Sequence, residues 1–308
     1  MTTIIARSAE SVHWYRQDGA PQYTVKAKDG SDRPTTLRDA RKMDLVPSVT
    51  TILKVAAKPG LEQWKLEQML LSALTLPKAP DEHEKAYIAR IVADSKETGK
   101  QAAEAGTRIH ESIESWFDGN KNVQHRETAQ AFEEAIFEHF KTHPDQPWLT
   151  ERSFSSNMGF GGKVDLYCAA DQYAPVGIVL DAKSKDFGPD DKVDAYDEHC
   201  MQLAAYRHGL GVPHARCANV FASRTHPGLI KVVEWSEEDL VNAWEMFQCL
   251  LRYWKLKNKF TSFTDLKFLR NYFFIGNIQR IQMMSHKNLI KNHLNLSVKN
   301  PPGHLSIN

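Results

Sequence analysis

Three short motifs decide the predicted fold: GGKVD (residues 161–165), IVLDAK (178–183) and QLAAY (202–206). Val164, Leu166 and Cys168 alternate with polar or aromatic residues, a pattern typical of a half-buried β-strand. The apolar run at 178–180 indicates a second, fully buried strand. The third motif lies in a stretch with helical character. We therefore predict two neighbouring strands followed by a helix.

The polar residues of these motifs indicate a hydrolytic metal site. Asp165 and Asp181 come from two adjacent strands, and Mg²⁺ prefers such oxygen ligands. Lys183 is two residues beyond Asp181 and shares its strand face, where a lysine can orient a metal-bound water or accept its proton. Gln202 and Tyr206 are four apart and share a helix face. A D-x-K triplet alone is usually a solvated surface pair, so the prediction depends on the ordered set.

The ordered set resembles the RecB-type branch of the PD-(D/E)XK nuclease superfamily, particularly the phage exonucleases and the mitochondrial genome-maintenance exonuclease. That branch has a helical His, a G-x-x-D strand, a (D/E)-x-K strand and a Q-x-x-x-Y helix. The candidates in this chain are His110 in a G-x-x-x-H context, 162–165, 181–183 and 202–206. The resemblance covers roughly residues 45–260. It implies an α/β fold with a restriction-endonuclease-like core, a central mixed β-sheet of four or five strands flanked by helices, and an N-terminal helical region.

The resemblance also implies an activity, metal-dependent DNA exonuclease, which belongs to phage or organelle-type DNA replication, recombination or repair. The implied ligands of Mg²⁺ or Mn²⁺ are Asp165, Asp181, the Ala182 backbone carbonyl and His110. Glu151 is a further candidate ligand, with a surface ion pair as the equal alternative. A lone helical His is more often a packed or surface residue, and only the motif context favours His110 as a ligand.

The remaining site residues concern the substrate. The resemblance implies that Lys183 activates water, while Gln202 and Tyr206 orient the DNA strand and the lysine. Lys185 and Arg207 are candidate contacts to DNA phosphates, although a loop lysine is more often simply solvated. The expected partner is DNA, either single-stranded or at duplex ends, together with a single-strand-binding or annealing protein.

Two other functions remain open at this point. A restriction-type endonuclease of the same superfamily would carry the same residues. A non-cleaving DNA-binding or recombination scaffold would keep the fold, but has no need of Asp165, Asp181 and Lys183 together.

Composition is that of a soluble globular protein, with 42% hydrophobic and 25% charged residues in 308. No apolar run approaches the ~20 residues that span a bilayer, and residues 1–10 lack the apolar core of a secretory signal. We therefore expect a cytoplasmic location, the host cytoplasm for a phage-encoded chain, and no membrane partner. The four cysteines contain no C-x-x-C pair, which predicts free, mostly buried thiols and no iron–sulfur cluster.

The net charge of +1 conceals an uneven distribution. After Asp265 there are six basic residues and no acidic one, so residues 1–265 carry 33 basic against 38 acidic side chains. A nucleic-acid-binding protein is often strongly basic overall. Any DNA contact in this chain must therefore use a local basic groove and the bound metal.

Motif positions and composition suggest four segments. They are an N-terminal hairpin and basic loop (1–45), a helical region with His110 (46–145), the nuclease core (146–262) and a basic tail (263–308) that we expect to be a flexible appendage or a rearranged chain end. The hairpin would pair 13–15 with 22–25 across Asp18-Gly19. In the helical region, a helix over 61–74 would bury its apolar residues, and a longer one over 81–117 would break near Gly99 or Gly106.

Local signals predict further features of the core. Ser48 and Ser236 are expected to cap the helices that follow them, and residues 216–223 and 229–235 are expected to form two more strands. Gly159, Gly161 and Gly162 would permit a tight turn and close approach of the backbone to substrate.

Overall fold

The computed structural model describes residues 13–143, 146–172 and 174–261. Its elements, in chain order, are β1 (Trp14–Tyr15), β2 (Thr24–Lys26), β3 (Asp32–Pro34), α1 (Leu37–Met43), β4 (Val46–Pro47), α2 (Val49–Leu53), α3 (Pro59–Thr75), α4 (Glu84–Phe117), α5 (Arg126–Phe140), β5 (Trp148–Ser156), β6 (Phe160–Cys168), β7 (Ile178–Lys185), α6 (Asp197–Gly209), β8 (Arg216–Ser223), β9 (Ile230–Glu234) and α7 (Glu237–Lys257).

The centre of the fold is a mixed sheet of five strands in the order β5-β6-β7-β8-β9. Among the strands described in this sheet, β7 and β8 are the parallel pair, and α6 connects them, because parallel neighbours need a crossover whereas antiparallel ones accept a short turn. The β5–β6 turn ends at Gly159, whose φ of 82° is left-handed. The predicted fold class, a central mixed sheet flanked by helices, is confirmed.

Helices cover both faces of the sheet. Ile178, Leu180 and Ala182 of β7 join a hydrophobic cluster with residues of α4 and α5. Val179 lies on the opposite face and joins a larger cluster with residues of α2, α6 and α7. Alternate residues of one strand thus enter different layers, as a period of two requires.

Strand β6 shows the alternation of burial that the sequence predicts, with Val164, Leu166 and Cys168 buried and Asp165 and Tyr167 partly exposed. Val164 belongs to the cluster of α6 and α7, whereas Leu166 and Cys168 belong to the cluster of α4 and α5. The predicted half-buried strand is therefore confirmed, although the buried residues on the two sides of Asp165 contribute to different hydrophobic clusters. In β5, Glu151 has a left-handed φ of 50° between the paired residues on either side of it. A non-glycine residue rarely adopts this conformation inside a strand, and it marks a local distortion of the sheet.

The N-terminal segment differs from the predicted hairpin. β1 pairs with β4, and β2 pairs with β3 within the segment expected to be a basic loop. The turn after β1 does bring Tyr15 back against Pro21, but only as a single bridge. Ion pairs Arg33–Asp39 and Lys26–Asp32 use two of the basic side chains internally.

The helical region departs from the predictions at two places. α4 is one unbroken helix of 34 residues through Gly99 and Gly106. In α3, the residues expected in the core are exposed instead, including Leu61, Trp64 and Leu70. An apolar run at helical spacing shows which residues share a face, but it does not show that a partner covers that face.

Other expectations from the sequence agree with the structure. The Ser48 side chain caps α2 and the Ser236 side chain caps α7, each accepting from a backbone N–H three residues on. The four cysteines carry free thiols, and Cys249 is the exposed one. Among the described residues, no helix is long and apolar enough to cross a membrane. The predicted basic tail lies outside the described residues.

Candidate active site

The Asp165 carboxylate lies where β6 and β7 stop pairing. Their main-chain ladder ends at Leu166 opposite Leu180. Beyond it, the backbone N–H of Ala182 donates to Asp165 Oδ2 at 2.8 Å, so a carboxylate takes the place of a strand carbonyl. Burial, and then the charge of Asp181, raise the pKa of Asp165. The two acidic side chains therefore meet at the diverging ends of the strands.

His110 reaches the same point from α4. Its Nδ1 lies 3.9 Å from Asp165 Oδ2. One helical turn earlier, Gly106 packs so closely on β7 that a Cβ there would lie 2.6 Å from Ser184 Oγ. The G-x-x-x-H spacing thus has a physical reason, because the glycine lets the helix approach the strand that carries Asp181 and Lys183.

Asp181 is almost completely buried, with 2% of its side chain exposed. Its Oδ1 accepts from Gln202 Nε2 at 2.7 Å. Its Oδ2 accepts from Asn219 Nδ2 at 2.8 Å and from Lys183 Nζ at 2.5 Å. Burial of a carboxylate is costly unless it is paired and hydrogen-bonded, and these three donors meet that requirement.

Lys183 and Gln202 complete a hydrogen-bonded group around this carboxylate. Lys183 Nζ donates to Gln202 Oε1 at 3.3 Å as well as to Asp181. The amide nitrogen of Gln202 also donates to the Tyr206 hydroxyl at 2.9 Å. Burial, followed by the charges of Asp181 and Asp165, raises the pKa of Tyr206 well above its ordinary value, so its hydroxyl stays protonated. As the four-residue spacing predicts, the side chains of Gln202 and Tyr206 lie together on one face of α6.

Three of the residues expected to touch DNA are buried. Arg207 is 1% exposed and forms a two-pronged ion pair with Glu237. The expected DNA contact of Arg207 is therefore wrong, because its guanidinium ties α6 to α7 inside the protein. Gln202 and Tyr206 are also buried, and Gln202 hydrogen-bonds to Asp181, Lys183 and Tyr206 within the protein.

Asn219 and Trp235 belong to the site and were not found in the sequence. Asn219 in β8 is fully buried and stands directly opposite Asp181 in the parallel register. Its side-chain oxygen accepts from Trp235 Nε1 at 2.7 Å, which fixes the amide that donates to Asp181. A polar residue in the middle of the apolar strand 216–223 was the available signal, since a buried amide needs partners.

His199 is a third residue that sequence reasoning missed. It lies one turn before Gln202 in α6, and its Nδ1 accepts from the backbone N–H of Tyr196 at 3.2 Å. Burial, and then the positive charge of Lys183, lower the pKa of His199 to about 4. The imidazole is therefore neutral at pH 7.

The outer candidates lie at the edges of this group. Lys185 has its Nζ 5.6 Å from the ring centroid of Tyr196. Glu151 forms an ion pair with Lys163, the alternative that the sequence left open, while remaining part of the strand next to Asp165. No described contact joins Glu151 to His110 or Asp181.

The glycines of the first motif serve packing. Gly161 and Gly162 lie within β6 rather than in the turn. A Cβ on Gly162 would lie 2.8 Å from the rings of both Phe154 and Tyr206. The expected close approach of this backbone to substrate is therefore corrected, because buried aromatic rings occupy the space.

The residues fit a hard cation in part. Among the described residues, no group of three or more His, Cys, Asp or Glu side chains has metal-binding spacing. Mg²⁺ needs only one or two carboxylates in addition to water and substrate oxygens. The Asp165 side chain is 25% exposed, and burial and the charge of Asp181 raise its pKa, so a cation bound here would reduce the repulsion between the two carboxylates. Such an ion would compete with Lys183 for Asp181 Oδ2.

Comparison with known proteins gives limited information. No protein-family model and no curated protein match the chain. The crystal structure of SSO0001 matches 62% of this chain and 86% of its own, with 17% identity and a TM-score of 0.26. The Eubacterium rectale protein named "Putative exonuclease" matches 50% of this chain and 68% of its own, with 14% identity and a TM-score of 0.34. These scores are too low for either protein to support a function here.

Proposed function

We propose that this chain is a metal-dependent nuclease that hydrolyses phosphodiester bonds in DNA. The observation that carries the proposal is the hydrogen-bonded group of Asp181, Lys183 and Gln202 beside Asp165 at the diverging end of β6 and β7. The motif resemblance to RecB-type PD-(D/E)XK nucleases supports the same conclusion. A structural role alone gives no reason for two neighbouring carboxylates and an ammonium at one point of a sheet.

In this proposal, Asp165 and Asp181 hold Mg²⁺ or Mn²⁺, and His110 and the Ala182 carbonyl are the further protein ligands. The bound ion would offset the charge that builds on the phosphate oxygens and lower the pKa of a coordinated water. Glu151 in the neighbouring strand remains a further candidate ligand.

Lys183 is the residue that positions and activates the attacking water. Two of its three N–H donors are used by Asp181 and Gln202 within the described residues. The third is available to a phosphate oxygen or to the attacking water. Gln202 holds the ammonium and the carboxylate in a constant relation, because one amide contacts both. Tyr206 keeps that amide oriented through its hydroxyl.

Exonuclease action is the preferred mode, on the resemblance alone. The test uses 5′-labelled linear single strands, 5′-labelled linear duplex and internally labelled closed circular single strands, each with Mg²⁺, Mn²⁺ or EDTA. We expect metal-dependent loss of the linear strand while the circle survives. Cutting of the circle would favour an endonuclease. If neither single-stranded nor duplex DNA is cleaved with either metal, the nuclease proposal fails and a DNA-binding scaffold becomes the better explanation.

Biological context follows from the same resemblance. A nuclease of this kind would act in DNA replication, recombination or repair of a phage or organelle type, together with a single-strand-binding or annealing protein. Co-purification with such a protein on a single-stranded template would test that association.

A further inference from the structure

An exposed aromatic ring lies beside the proposed active site. Tyr196 is the N-cap residue of α6 and is 44% exposed, although large aromatic side chains are usually well buried. The Lys185 ammonium lies 5.6 Å from the centre of its ring. Because the ammonium lies over the ring, Tyr196 presents an exposed aromatic ring with a positive charge near one of its faces.

Two parallel rows of side chains connect this pair to the site. In β7, Asp181, Lys183 and Lys185 are two residues apart and share one face. In α6, the residues at three-residue intervals from Tyr196 through Gln202 share one face. The two rows contact each other at two places. Lys183 donates a hydrogen bond to Gln202, and the Lys185 ammonium lies near the Tyr196 ring. The two lysines of this row are about 6.6 Å apart along the strand.

In the α6 row, His199 lies between Tyr196 and Gln202, the residues that make these two contacts. Its ring centroid is 5.5 Å from that of Tyr196 and 5.9 Å from that of Phe221. Because its Nδ1 accepts a backbone hydrogen bond, the neutral ring carries its proton on Nε2 and offers a donor. The acidic neighbour Glu198 is paired with Lys58 at 3.5 Å, which reduces repulsion of an anion here.

We propose that Tyr196, Lys185 and His199 form a nucleotide-binding subsite next to the cleaved phosphodiester. Tyr196 stacks on the base, the Lys185 ammonium pairs with the adjoining phosphate, and His199 Nε2 donates to a sugar or phosphate oxygen. Stacking is available to every base, so the subsite takes a single-stranded nucleotide without sequence preference. This subsite rests on the proposed nuclease function and names the substrate that the site would hold.

Binding variants test the subsite directly. The probe is a fluorescent linear single-stranded oligonucleotide of mixed sequence, with Ca²⁺ in place of Mg²⁺ and anisotropy as the readout. We expect Tyr196→Leu to weaken binding about tenfold, because stacking of one base on an aromatic side chain raises the affinity by roughly this factor. Tyr196→Phe should bind nearly as wild type, because the ring supplies the stacking. Lys185→Ala should weaken binding and lower the salt dependence by about one released counterion.

The matched control is Tyr253 on α7. It is 52% exposed and has the Lys257 ammonium 5.7 Å from its ring, but it lies outside the two rows. Tyr253→Leu should leave binding unchanged. Equal binding by the Tyr196→Leu and Tyr253→Leu variants would overturn the subsite.

An abasic oligonucleotide separates stacking from other effects. Wild type and Tyr196→Leu should bind it with similar affinity, because there is no base to stack. A persistent tenfold difference on the abasic strand would contradict base stacking. Failure of the nuclease proposal has a different signature: the wild type itself neither binds nor cleaves DNA, and the subsite then falls with it. Normal cleavage with no effect of Tyr196→Leu removes the subsite alone.

Discussion

Asn219 donates a hydrogen bond of 2.8 Å to Asp181 from the directly opposite position of the neighbouring parallel strand. Trp235 holds the other end of the same amide at 2.7 Å. The Trp235 indole donates to the Asn219 amide oxygen, and the Asn219 amide nitrogen donates to the Asp181 carboxylate. Each of these buried polar groups therefore has a hydrogen-bond partner. Asp181 is therefore held in place by the sheet itself, independently of Lys183.

Asn219→Leu should lower the free energy of unfolding by about 1–3 kcal/mol, because it leaves a buried carboxylate short of a donor and the Trp235 indole without an acceptor. Trp235→Phe should cost less, since it removes only the outer hydrogen bond. Urea denaturation measures both. Equal stability of wild type and Asn219→Leu would show that this hydrogen-bonded chain contributes nothing.

Lys183→Ala and Asp181→Asn should each lower the rate of DNA cleavage by at least roughly a hundredfold, since each removes an interaction that acts in the transition state. Single-turnover assays with enzyme in excess measure the chemical step. Lys192→Ala is the matched control, because that lysine side chain is 90% exposed in the loop after β7. Near-normal cleavage by Lys183→Ala or Asp181→Asn would refute the assigned roles.

Two glycines of α4 should respond oppositely to alanine. Gly99→Ala should raise the free energy of unfolding by up to about 1 kcal/mol through helix propensity, because its Cβ would meet only Trp64, at 3.6 Å. Gly106→Ala should lower it by about 1–3 kcal/mol through overpacking against Ser184. Thermal or urea denaturation compares the two variants.

The Gly106 effect has its own control. Ser184→Ala removes the oxygen that a Gly106 Cβ would meet and leaves the Ser184 Cβ at an ordinary 3.8 Å. The double variant should therefore recover most of the lost stability. If Gly99→Ala and Gly106→Ala gain stability equally, α4 does not need the close approach that places His110.

His199 should make the fold sensitive to acid. Between its ordinary pKa of 6.5 and its folded pKa of about 4, the unfolded chain binds a proton that the folded chain does not, so stability falls as the pH decreases through this window. Burial is the main cause. Lys183 and Lys58 act in the same direction, whereas Asp181 and Glu198 oppose it.

His199→Gln should reduce this loss by about 2 kcal/mol at pH 5. Glutamine at this third helical position can still accept from the N-cap backbone, so the cap of α6 remains. The measurement is the free energy of unfolding at pH 7 and pH 5 for both proteins. Identical pH dependence in the two proteins would contradict a buried neutral His199.

Local patterns in the sequence predicted much of the secondary structure. The strand at 216–223, the helix that carries Gln202 and Tyr206, and the caps at Ser48 and Ser236 all follow from periodicity or from hydrogen bonds within a few residues. Local patterns do not show whether another element covers a given face of a helix. The apolar residues of α3 are exposed and Arg207 is buried, because the surrounding elements decide both outcomes.

The sequence by itself determined the order of the motifs, the two strands and the helix that carry them, and the shared face of Asp181 and Lys183, since these depend on spacing along one strand or helix. The mixed α/β class was implied by the family resemblance. Only the tertiary structure decided that Asn219 supports Asp181 across 38 residues of chain. It also decided that the buried residues of β6 join two different clusters and that His199 lies against Tyr196 and Phe221. Such contacts depend on strand register and on the approach of α4 and α6 to the sheet, which no local pattern specifies.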